Sequence, residues 1–222
     1  MKEDNKLLSL NNSWLQRHGP FNYVLFIIFN LYSSAPSTPA NLKLISIMTN
    51  YFIVPGLGNS GEDHWQTFFE RSGDNFKRIN QQEWDAPSCT DWVTTIDNAI
   101  SAYDLSTVVL IAHSLGCPTI AHWAKHYNKK IKGALLVAPS DIEAQNYTFP
   151  AKGFAPVPVN KINFKTIVVA STNDIWVTAE RAKFFADSWN SEFISLGDAG
   201  HINAVSGYGK WQQGLEILKT LG

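Results

Sequence analysis

Cysteine is scarce in this sequence. Only Cys89 and Cys117 occur among 222 residues, far apart and outside any CxxC spacing. That pattern argues against a disulfide framework or a structural zinc site, and it suits a reducing, cytoplasmic compartment. Charge of one sign is missing too: 18 Lys and Arg against 19 Asp and Glu leave a formal net charge of −1. With the basic residues scattered, there is no footprint for nucleic acid and none for stable association with an anionic membrane. No internal repeat or low-complexity tract interrupts the chain. What remains is 45% hydrophobic and 17% charged residues. That balance suits one globular domain with a well-buried core.

The first 47 residues read differently from the rest. "FNYVLFIIFNLY", residues 21–32, is apolar but carries Asn22 and Asn30. At about a dozen residues it falls short of the roughly 20 needed for a membrane span. A secretory signal with a cleavage site near Ala35 is one reading; Glu3, Asp4 and the long polar stretch before the apolar run oppose it. The favoured reading starts the functional domain at Met48. Residues 1–47 are then an extension that is disordered or absent from the mature protein.

From Tyr51 onward, short apolar runs alternate with amphipathic stretches. Strands are expected at 51–55, 76–79, 107–112, 133–138, 166–171 and 192–196, and helices near 63–71, 90–103, 116–127, 178–189 and 209–221. Continuous runs such as "TVVLIA" and "TIVVAS" suit parallel strands covered on both faces, hence a doubly wound α/β domain. Residues 139–164, rich in Pro and aromatics, replace a crossover helix with an irregular segment of the kind that forms lids. In such sheets ligands bind beyond the carboxyl ends of the strands.

Those ends carry a coherent set. The third strand runs into Ala112-His113-Ser114-Leu115-Gly116, a small-x-Ser-x-Gly turn in which Ala112 stands where Gly is usual. A strand–turn–helix bend of this type lifts the serine hydroxyl into the open. The first strand ends in "PGLGNSG", where Gly56 and Gly58 leave the Leu57 N–H free; Leu57 and Leu115 are therefore the candidate oxyanion donors. Asp174 follows the fifth strand, while Thr178 better fills the cap of the next helix. His201 follows the sixth strand in a Gly-rich loop. Serine, aspartate, histidine is the chain order of an α/β-hydrolase triad. Asp198, in the same loop as the base, is a rival acid expected to face solvent. His64 is expected to steady the Leu57 loop or cap a helix. His122 and His126 have i, i+4 spacing but lack the Glu of HExxH and a third ligand, so no metal is expected and no cofactor either.

The stretches "IVPGLGNSGEDHWQ", "AHSLGC", "VAPSD", "VVASTNDIWV" and "LGDAGHINAVSGYGKW" resemble the YdeN-like serine hydrolases, small α/β hydrolases related to retinoblastoma-binding protein 9. The resemblance spans nearly all of 50–217. It implies a three-layer fold with a minimal, mainly parallel six-stranded sheet, a triad falling on Ser114, Asp174 and His201, and hydrolysis of small carboxylic esters through an acyl-enzyme. Ile175-Trp176 replaces a more usual Pro-aromatic pair, and Asn190 stands where Gly is common. Gly56, His113, Phe149, Phe154 and Trp176 are the candidate substrate contacts. The rival reading is a protein-binding module on the same scaffold; no L-x-C-x-E stretch supports it, and a complete triad would be needless there. Thioesterase and amidase chemistry use the same parts. The expected partner is a small acyl ester, with no protein partner indicated.

Overall fold

Six parallel strands build one sheet in a computed structural model that describes residues 48–222. The extension and signal readings for residues 1–47 lie outside the described residues. In chain order the strands are β1 (Asn50–Val54), β2 (Phe76–Arg78), β3 (Val108–His113), β4 (Gly133–Val137), β5 (Lys165–Ala170) and β6 (Glu192–Ser195). The helices are α1 (Trp65–Glu70), α2 (Cys89–Ile100), α3 (Gly116–Tyr127), α4 (Ala179–Trp189) and α5 (Gln212–Lys219).

The spatial order is β2-β1-β3-β4-β5-β6. The chain steps outward from β1 to β2, then returns to place β3 on the other side of β1. This reversal splays the loops after β1 and β3 apart and opens a crevice between them. Every residue of β3 is buried, as the continuous apolar run demands. Its side chains alternate between layers. Leu110 and Ala112 join Trp92, Ile96, Trp123, Phe185 and Trp189 beneath α2, α3 and α4. Val109 and Ile111 join Trp65, Phe69 and Leu218 beneath α1 and α5. The expected three-layer α/β-hydrolase architecture is thus observed.

Two boundaries differ from expectation. Helix α2 stops at Ile100 because the Asp104 side chain accepts from Ser106 N at 2.9 Å and starts a separate 3₁₀ turn, Leu105–Thr107. Helix α5 begins only at Gln212, since Trp211 is held in a turn on Gly209 O while its ring packs 5.2 Å from that of Trp65. Asn190 ends α4 in the left-handed region at φ 59°, a conformation that asparagine tolerates better than most residues. No helix among the described residues is long and apolar enough to cross a membrane.

The irregular 139–164 connection is tied down along its second half. Lys152 exchanges backbone hydrogen bonds with Pro87 O (2.8 Å) and Cys89 N (2.9 Å) at the start of α2. The Trp189 indole N–H donates to Pro158 O at 2.7 Å. Between these anchors Phe154 is fully buried, with its ring edge-on to Trp92 at 5.8 Å. As a proposed substrate contact Phe154 therefore needs correction: it packs inside the core and anchors the connection.

Candidate active site

The chain leaves β3 through a sharp bend in which Ser114 takes φ 55°. A β-carbon in that region is strained by about 1 kcal/mol, so the surroundings must hold it there. Ser114 N donates to Val137 O at 3.0 Å, and Ser114 O accepts from Cys117 N at 3.0 Å. Small neighbours make the bend possible. A Cβ on Gly116 would lie 2.9 Å from Pro55 O and closer still to Val54 O; one on Gly56 would lie 2.7 Å from Ser114 Cβ. Gly56 thus supports the bend from behind and does not line the cavity. Beyond it, Gly58 N and Asn59 N are taken up by Trp84 O and Gly56 O, whereas Leu57 N and Leu115 N donate to no backbone acceptor among the described residues. Two amides are left for an incoming oxygen.

His201 reaches the same place from the loop after β6. Its backbone is fixed by Ser206 Oγ, which accepts from His201 N at 3.2 Å, and by the Trp65 indole, which donates to Ile202 O at 2.8 Å. Its Nδ1 lies 2.8 Å and 3.0 Å from the two carboxylate oxygens of Asp174, whose side chain is fully buried. Asp174 Oδ1 also accepts from Trp176 N at 2.9 Å. Asn173 ties the two loops together, its Oδ1 accepting from Gly200 N and from Ser171 Oγ. Asp198 is exposed and accepts from Thr172 Oγ1, as expected of a bystander.

Sequence reasoning missed the partner of the Ser114 hydroxyl. Ser140, buried just past β4, places its Oγ 2.8 Å from Ser114 Oγ. The strand-end rule could have flagged it in "VAPSD", but the spacing gives no hint of that distance. Removing this partner by Ser140→Ala is expected to lower kcat/KM about three- to tenfold, the worth of a neutral hydrogen bond of about 1 kcal/mol. Steady-state kinetics per titrated site would show no change if the contact were idle.

Three imidazoles stand in a row, with centroids 4.6 Å apart for His64–His113 and 4.8 Å for His113–His201. His113 Nε2 donates to His201 O at 2.9 Å, which fixes its neutral tautomer. Burial, reinforced by the neighbouring His201 and His64, pushes the His113 pKa well below the ordinary value. His64 caps α1: its Nδ1 accepts from Gln66 N at 3.2 Å, leaving the proton on Nε2. Burial, with Arg78 and His201 adding to it, pushes His64 down to about 4. Unfolded histidine titrates near 6.5, so acidification protonates the unfolded chain first. Stability contributed by these neutral rings is complete above pH 6.5 and declines as pH falls from there. For His64 alone the loss is about 2 kcal/mol at pH 5. Urea midpoints at pH 7.5 and pH 5 measure this, and equal values would show that neither ring is buried uncharged.

Ser114, His201, His113, Leu57, Phe149 and Trp176 line one cavity of about 230 Å³. Ser140, Tyr147, Asn59, His64 and Asn203 complete it; no Lys, Arg, Asp or Glu takes part. Asp174 sits behind His201, and Leu115 is buried behind Ser114. Chemically, the arrangement couples a hydroxyl on a strained bend, an imidazole oriented by a carboxylate, and two unengaged amides.

The serine hydrolase family model matches residues 51–220. Among solved structures, a YdeN-like hydrolase from Pectobacterium atrosepticum is 32% identical with a TM-score of 0.70, over 78% of this chain and 90% of that one. The ydeN product of B. subtilis is 20% identical with a TM-score of 0.66, over 78% and 98%. A non-heme bromoperoxidase from Mycobacterium tuberculosis, 12% identical with a TM-score of 0.56 over 78% and 93%, shares the fold. No curated protein matches the sequence.

Proposed function

Since the chain belongs to the serine hydrolase family, we propose that it cleaves small carboxylic esters through Ser114, His201 and Asp174. Ser114 Oγ attacks the ester carbonyl while His201 takes its proton. The Leu57 and Leu115 amides receive the developing oxyanion. His201 then gives the proton to the departing alcohol, and water resolves the acyl-enzyme by the same route in reverse. Asp174 holds the imidazole in the tautomer whose Nε2 is free to accept, and it offsets the charge that His201 acquires.

The observation that carries this reading is the conjunction at one cavity of Ser114 at φ 55° and His201 clamped on Asp174 at 2.8 Å. In the resting site Ser114 bonds to Ser140; hydrogen bonds between nucleophile and base often tighten only once substrate is bound. A cavity of about 230 Å³ lies below the roughly 300–1,000 Å³ of drug-sized sites, which supports compact substrates.

Labelling with a fluorophosphonate probe and turnover of p-nitrophenyl acetate test the reading together. Both are expected for the wild-type chain and both are expected to vanish in Ser114→Ala, with acetate and butyrate esters cleaved faster than long-chain esters. A folded wild-type protein that neither labels nor turns over ester would refute it.

A further inference from the structure

The cavity has two chemically distinct walls. On one side Tyr147, Phe149 and Trp176 pack ring against ring, with centroids 5.4 Å apart for Tyr147–Phe149, 5.2 Å for Phe149–Trp176 and 6.4 Å for Tyr147–Trp176. Rings this close leave no gap between them for a cation. They form a continuous apolar surface. It is preformed as well, because the two loops that supply it are pinned together: Asp141 N donates to Trp176 O at 2.9 Å, and Asn146 Nδ2 donates to Ile175 O at 3.0 Å.

The other wall, His64, Asn59 and Asn203, consists of side chains whose acceptors are already used. Asn59 Oδ1 accepts from Ser60 N and Arg78 Nη1. Asn203 Oδ1 accepts from Ser206 N and Ser206 Oγ. His64 Nδ1 is committed to the cap of α1, while its buried Nε2, which carries the proton, has no partner. A buried N–H without a partner is unusual, and a water or a ligand oxygen can satisfy it. What this wall has left to offer is uncharged N–H donors, and they suit hydroxyl or carbonyl oxygens. With no cationic side chain in the lining, a carboxylate or phosphate would lose its water without a counter-charge.

The walls also have a direction. The donor wall belongs to the base: Asn203 lies two residues beyond His201, and His64 touches it through His113. The proton that leaves His201 goes to the departing alcohol, so the alcohol lies on that side and the acyl group falls against the aromatic wall. We propose, building on the serine-hydrolase reading above, that the preferred substrate is an uncharged ester joining a compact flat apolar acid to a hydroxylated alcohol. A ring fits: an apolar cavity of about 150 Å³ accepts benzene.

The experiment compares kcat/KM of the full chain, per titrated active site, on glyceryl phenylacetate, glyceryl acetate, ethyl phenylacetate and ethyl acetate. Phenylacetyl is expected to exceed acetyl by about tenfold or more, and glyceryl to exceed ethyl by about fivefold. Phe149→Ala, at a half-exposed position, is expected to shrink the first ratio and spare the second. His64→Ala removes the donor, so it is expected to shrink the second ratio and spare the first; the lost α1 cap, worth about 1 kcal/mol, is read separately as a lower melting temperature. Ratios near one, or faster cleavage of a hemisuccinate ester than of its neutral counterpart, would overturn the proposal.

Saturation-transfer NMR of the same esters on Ser114→Ala gives a readout that needs no turnover. Preferential binding of glyceryl phenylacetate there, with an inert wild-type chain, would retain the two walls and reject the hydrolase reading. Active wild-type enzyme with flat ratios would do the opposite.

Discussion

Replacing Asp174 by asparagine is expected to lower kcat on p-nitrophenyl acetate by about four orders of magnitude, with KM little changed. Both carboxylate oxygens of Asp174 lie within 3.0 Å of His201 Nδ1, so the proton is held on that nitrogen and Nε2 is left to accept. An amide in the same place accepts through one atom only. If it turns its NH₂ toward the ring, the proton moves to Nε2 and the base is lost. Asparagine keeps the shape of the side chain and can still accept from Trp176 N, so the melting temperature should move little. The comparison to make is fluorophosphonate labelling rate against thermal unfolding. A loss below tenfold would mean that another acid, with Asp198 the nearest rival, supports the base.

Gly116→Ala should damage fold and activity together. Its added methyl would meet the carbonyls of Val54 and Pro55, backbone atoms at the end of β1 that cannot rotate away. Either α3 withdraws from the strand or the bend at Ser114 opens. Overpacking of this kind typically costs about 1–3 kcal/mol, and displacing a reacting atom by about 1 Å costs about a hundredfold in rate. A lower melting temperature and a kcat/KM reduced at least a hundredfold are therefore expected. Gly61→Ala is the matched control, since its Cβ would meet nothing within 4 Å. Equal behaviour of the two variants would mean that the bend tolerates a side chain.

The strands were legible because parallel strands buried on both faces read as unbroken Val/Ile/Leu runs. Ser114, Asp174 and His201 were legible because each closes such a run, in an order that one topology brings together. Ser140 closes β4 just as plainly. Yet a lone serine there carries no signature, and its contact with Ser114 depends on sheet register and on the left-handed turn at Ala138. Phe154 misled for a related reason. An aromatic in a Pro-rich connection looks like lid, and only the slot between Trp92 and His122 shows that it points inward. The donor wall was invisible in sequence. Asn59 and Asn203 become donors only because their oxygens are consumed locally, which is a fact of loop geometry and not of residue type.

The pinned 139–164 connection also makes the mouth of the cavity modular. Asp141 and Lys152 are held by the Trp176 backbone and by the start of α2, so the stretch between them spans two fixed posts. Doubling the length of such a loop costs only about 0.6 kcal/mol in closure entropy. Insertions between Glu143 and Phe149 would therefore redraw the aromatic wall while the serine bend and the histidine clamp, carried on other strands, stay where they are. A loop library confined to those positions would diversify substrate choice on an unchanged catalytic frame.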